Sequence, residues 1–219
     1  MHDLQHCRYF KGLSMLSNAE SDKYTAQVKN LDVETPRTVL AFWPFLLWMV
    51  PMAAVYGLGH WGWSDLCGRT WNEPIAIPLV LVSVISYTLL AWKKHNEFAM
   101  ALAVLSTGFF LREWHFAGTG AGVYVVVAGV AVWFVARRRR MNRLIKNTPV
   151  EIWLWATALC YLMSQLIARR LFAEGHLGGL PLEEMYHIQL EETTETMAHI
   201  MLALTSLTAW RRFAARPEQ

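Results

Sequence analysis

Apolar residues in this chain are gathered into long blocks that short polar or basic stretches interrupt. The blocks cover Thr38–Gly59, Ile75–Trp92, Phe98–Leu111, Ala121–Ala136, Val150–Leu171 and His187–Trp210. Most are as long as a helix needs to cross the hydrocarbon core, about 20 residues at about 1.5 Å each. The pattern therefore predicts an all-α, polytopic membrane protein with six transmembrane helices in one bundle. It divides the chain into an N-terminal arm (1–37), a membrane domain (38–212) and a short tail (213–219).

Composition agrees with that division. Of the 219 residues, 54% are hydrophobic and only 17% are charged, against about 25% charged in a typical soluble domain. The net charge of +3 matters less than where the cations lie. Lys and Arg concentrate in the arm, at Lys93–Lys94, over 137–149 and in the tail, whereas the alternate connections are almost bare. The positive-inside rule then places both termini in the cytoplasm of a multi-pass protein of the cell (inner) membrane. The run Arg137–Arg140 directly follows an apolar block and reads as a cytoplasmic anchor, so no nucleic-acid partner is expected. The expected surroundings are the lipid bilayer and other membrane subunits. Cys7, Cys67 and Cys160 form no CxxC pair, and no disulfide framework is expected. The first apolar block comes too late for a cleavable signal and is expected to act as an uncleaved span.

Two blocks break the apolar rule. The segment around Phe98–Leu111 is too short to cross alone, so its helix carries Arg112 and Glu113 towards the membrane. The last block opens with His187, Glu191, Glu195 and His199, each four residues apart and so on one stripe of a helix. The fifth block repeats Thr157, Tyr161, Ser164, Gln165 and Arg169 at helical spacing, giving it a polar face. With both termini inside, the outer ends of these three helices fall on the same side. Arg112, Glu113, His115, Arg169, Glu191, Glu195 and His199 then converge there.

Ionisable groups are expensive in lipid, so the cluster needs a partner, an ion, a proton or water. Carboxylate and imidazole ligands suit a divalent metal such as Zn, Fe or Mn, drawn from Glu113, Glu191, Glu195, His199 and His115. Glu191 and His199 lie two turns apart and would hardly reach the same ion. In an enzyme, Glu113, Glu195 and Arg169 would carry catalysis, with hydrolytic or redox chemistry on a membrane-soluble substrate. A stepwise Glu/His path for protons or ions is the second reading, and a purely structural salt-bridge network the third. Haem is disfavoured, because His95 alone lies near the inner side to complete a second axial pair. His2, His6 and Cys7 read as part of a tail. Whether the chain is an enzyme is left open by its sequence.

Overall fold

The computed structural model describes residues 42–114, 119–172 and 183–214. The chain divides after Trp43, and Pro44–Gln219 is a compact unit that contains the α-helices. Its described residues form helices and no strand: α1 (Met49–His60), α2 (Arg69–Lys94), α3 (Glu97–Glu113), α4 (Thr119–Ala136), α5 (Arg138–Ile145), α6 (Pro149–Ala168) and α7 (Glu183–Ala214). The arm, His115 and residues 173–182 and 215–219 lie outside the described set.

Local chemistry sets the breaks. His95 takes the left-handed conformation that ends α2, and the Asn96 side chain accepts from the amides of Phe98 and Ala99 to start α3. Two residues thus reverse the chain and lay α3 antiparallel to α2. Pro149 sits in the first turn of α6, where its missing N–H costs nothing. In the first block, the regular helix is confined to the 12 residues of α1, after a 3-10 turn at Trp43–Leu46. Pro51 falls in its first turn, where proline is tolerated because it has no amide to give an earlier carbonyl.

Among the described residues two helices are long and apolar enough to cross a membrane: the segment Ser64–Lys94, which contains α2, and α6. A third is added if Gly120–Ala136 and Arg138–Ile145, bent by 88°, count as one span. The other helices fall short for separate reasons. At about 1.5 Å per residue α1 reaches only about 18 Å, and α3 ends on Arg112 and Glu113. Helix α7 has 32 residues, yet its first half is rich in Glu and His.

The 137–149 stretch, expected as a loop, contains a helix. In α5, Met141 and Ile145 are buried while Arg138, Arg139 and Arg143 stay exposed, so the basic residues occupy one face. Arg140 reaches Glu97 at 2.8 Å and ties α5 to the start of α3.

Helix α7 is the hub. It packs closely on α6, α2 and α1, while α3 packs on α2 and α4. The main core joins Tyr87 and Leu90 of α2, Phe98 and Leu102 of α3, and Leu202 and Phe213 of α7. Backbones of α3 and α7 are not among the closely packed pairs; side chains bridge them. Gly108 lets α3 approach α4: a Cβ there would meet Val126 Cγ1 at 3.0 Å. Gly108→Leu is therefore expected to lower stability by about 1–3 kcal/mol through overpacking, seen as a lower unfolding midpoint in detergent. Gly129→Leu, on the same helix as Val126 but with nothing near its Cβ, is expected to leave the midpoint unchanged.

Candidate metal centre

The site is assembled from α3, α6 and α7. Arg112 and Glu113 are adjacent on the last turn of α3, yet each finds its own partner on α7. Arg112 meets Glu195 with both guanidinium nitrogens, Nη2 lying 2.9 Å from Oε2. Glu113 Oε1 lies 3.5 Å from His199 Nε2. Glu195 and His199 are one helical turn apart, which matches the spread of the two α3 side chains.

Helix α6 supplies the third wall. The Tyr161 hydroxyl lies 2.6 Å from His199 Nδ1, and its ring stacks on Phe109 of α3, with centroids 4.5 Å apart and planes at 13°. His199 has no solvent exposure, and its Nε2 makes no hydrogen bond. That atom decides the chemistry. If Nδ1–H donates to the tyrosine oxygen, Nε2 presents a lone pair to a carboxylate, and a proton or a cation must lie between them. If Nε2 is protonated, it faces Glu113 at a poor geometry.

One atom from each of Glu113, Glu195 and His199 lies within 4.8 Å of the others, and this is the geometry of a possible three-ligand metal site. Ligand atoms on a tetrahedral ion with bonds of about 2.1 Å are about 3.4 Å apart, close to the 3.5 Å between Glu113 and His199. The Arg112 pair does not disqualify Glu195, since each carboxylate oxygen has two lone pairs. A guanidinium on a ligating carboxylate is an ordinary outer-shell partner, as is an acceptor on the far nitrogen of a ligating histidine.

Other expected residues go elsewhere. Glu191 lies 3.8 Å from His187 on its own helix and outside the group. Arg169 is exposed, over the Tyr124 ring at 5.9 Å, and does not reach Glu195; Arg112 holds that place. His115 lies outside the described residues. Glu192 turns to Arg69 of α2, at 3.0 Å, which also meets Glu73. The polar face of α6 divides between neighbours: Thr157 and Tyr161 meet Thr205 and His199 of α7, whereas Gln165 accepts from Tyr124 of α4. Below His199 the hydroxyls of Thr157, Thr205 and Ser206 each reach a carbonyl of their own helix.

The salt-bridge reading of the sequence names Arg112 among the partners of the glutamates without fixing which one it meets, and spacing assigns Tyr161 no role beyond the polar face of its helix. Tyr161 is the more legible of the two, standing between Thr157 and Ser164 on the buried-facing side of α6. Arg112 is eclipsed by Arg169, which the sequence offers equally as a partner for the glutamates.

No protein-family model, curated protein or solved structure matches the chain.

Removing one member of a buried pair costs more than removing both. Arg112→Ala is expected to lower stability by about 3–5 kcal/mol by stranding Glu195, with most of it recovered in the double variant Arg112→Met, Glu195→Leu. Thermal unfolding of the three proteins in one detergent reads this directly. Equal losses in the single and double variants would refute the pairing.

Proposed function

We propose that this chain is a multi-pass protein of the cell membrane whose Glu113, Glu195 and His199 bind a divalent metal, Zn, Fe or Mn, in support of hydrolytic or redox chemistry on a membrane-soluble substrate. The observation that carries the reading is the fully buried Nε2 of His199, without a hydrogen bond and 3.5 Å from Glu113 Oε1. A proton or a cation must occupy that approach, and Glu195 stands beside it as a further anionic ligand.

In this reading Tyr161 holds the His199 ring in the tautomer that leaves Nε2 for the metal. Arg112 orients Glu195 and offsets part of its charge. Phe109 closes the site on one side and fixes the tyrosine plane. A metal bound there supplies Lewis acidity, an activated water or a redox couple.

The same reading takes the full topology from the apolar pattern: six crossings, both termini cytoplasmic, the arm at 1–37 and the tail at 213–219. Short helices α1 and α3 then require local thinning of the bilayer, or burial of their ends among other helices. Lipid, with or without further membrane subunits, surrounds the bundle.

A second reading rests on the Arg112–Glu195 contact itself. Paired ions of this kind can fix one helix arrangement without any ligand, which would make the chain a non-catalytic membrane subunit. Elemental analysis separates the two. Wild-type protein purified without chelator is expected to hold about one transition metal per chain, lost in His199→Ala and Glu195→Gln. Metal-free wild type that takes up no Zn, Fe or Mn on reconstitution would leave the structural reading.

Topology is tested separately in a background lacking the native cysteines. A membrane-impermeant maleimide is expected to label Asp65→Cys in intact cells and Lys146→Cys only after permeabilisation. The reverse pattern would invert the orientation.

A further inference from the structure

Next to the centre, and separated from it by Tyr161 and Phe109, runs a cleft of about 330 Å³ between α3, α4 and α6. Helices α4 and α6 are not closely packed, and the Tyr124–Gln165 hydrogen bond of 2.9 Å spans them at one end of the gap. The cleft is therefore a groove with a side opening, rather than a sealed void.

Its walls are polarised along their length. On α3 it runs from Leu102 past Leu105 and Phe109 to Arg112, a distance of about 15 Å at about 1.5 Å per residue. The Leu102 end is apolar, with Leu154 and Leu202 beside it. The Arg112 end carries Tyr124 and Gln165, with the exposed Arg169 over the Tyr124 ring. Among the described residues no carboxylate lines the cleft, and Arg112 is its one charged lining residue. Among the described residues Arg169 meets an aromatic ring and no acid.

We propose that this cleft binds a single-chain amphiphile with an anionic headgroup, its alkyl chain lying along Leu102–Phe109 and its headgroup at Arg112 and Arg169. Length, polarity and charge agree on that occupant. An alkyl chain fits an apolar groove with a side opening, and an anion fits an end where Arg169 meets no acid among the described residues and Arg112 keeps N–H donors beyond the two that hold Glu195. Binding needs no metal. If the Glu113–Glu195–His199 centre is also metal-bound, as proposed above, Arg112 links the two: it lines the cleft and holds Glu195. The headgroup then lies next to the centre, and the substrate class becomes an anionic lipid-like molecule.

The test uses the full chain in phosphatidylcholine nanodiscs, with a diazirine-bearing alkyl phosphate and the matching alkyl alcohol as probes. Photolabelling by the phosphate is expected to be saturable, to map to cleft residues such as Leu105, Val127 and Leu162, and to be competed by unlabelled alkyl phosphate. Ala158→Trp and Val127→Trp, from opposite walls, are each expected to reduce it at least about fivefold, equivalent to about 1 kcal/mol. Arg169→Gln is expected to narrow the preference for phosphate over alcohol. Leu204→Trp, on the exposed side of α7, is expected to leave labelling unchanged. Labelling spread over every lipid-facing helix, equal for the two probes and indifferent to both tryptophans, would overturn the proposal. Metal content measured on the same nanodiscs keeps the two ideas apart. Saturable labelling without metal retains the cleft and removes the centre; bound metal without saturable labelling does the opposite.

Discussion

Charge in an apolar helical bundle has to be matched in place, and the Arg112–Glu195 pair is where this chain meets that demand. Taking either ion out of water costs several kcal/mol even after relaxation, and a partner with two-point geometry recovers much of it. The pair also acts mechanically. Helices α3 and α7 are not closely packed through their backbones, so side chains join them: Arg112 and Glu113 at one end, and Phe98 against Phe213 at the other. The Glu113–His199 approach and the Arg112–Glu195 pair share the last turn of α3 and adjacent turns of α7.

Tyr161 gives the same region two faces. Its hydroxyl touches His199 and its ring stacks on Phe109, so it belongs to the centre. It also lines the apolar cleft on the other side. A polar cluster and an apolar groove can thus adjoin without mixing: the aromatic pair is a wall with a hydrogen-bonding edge and a hydrophobic face. Arg112 spans the same boundary, with its head on Glu195 and part of its side chain in the cleft.

On the opposite side of the chain's charge distribution, α5 shows how a basic stretch becomes ordered. Burial of Met141 and Ile145 holds one face against the core, and the Arg140–Glu97 contact fastens it to the start of α3. The 88° bend from α4 lets the arginines leave the apolar region abruptly. A run with the composition of a loop is a helix because its two apolar residues are four apart and both find the core.

Helical content and the presence of Glu, His and Arg at the ends of three apolar helices were determined by the sequence itself. Apolar runs of this length leave backbone groups to be satisfied within each helix, and ionisable residues that interrupt them are visible without coordinates. Tertiary structure alone decided the pairings. Arg112 and Arg169 are both candidate partners for the glutamates by sequence, yet one reaches Glu195 and the other lies over Tyr124. Glu191 and Glu195 share a stripe, yet only Glu195 faces α3. A helical stripe spans more than one neighbour, and which neighbour each residue meets depends on helix rotation and on contacts such as Gly108 against Val126. Periodicity along one helix carries no record of how another is turned towards it.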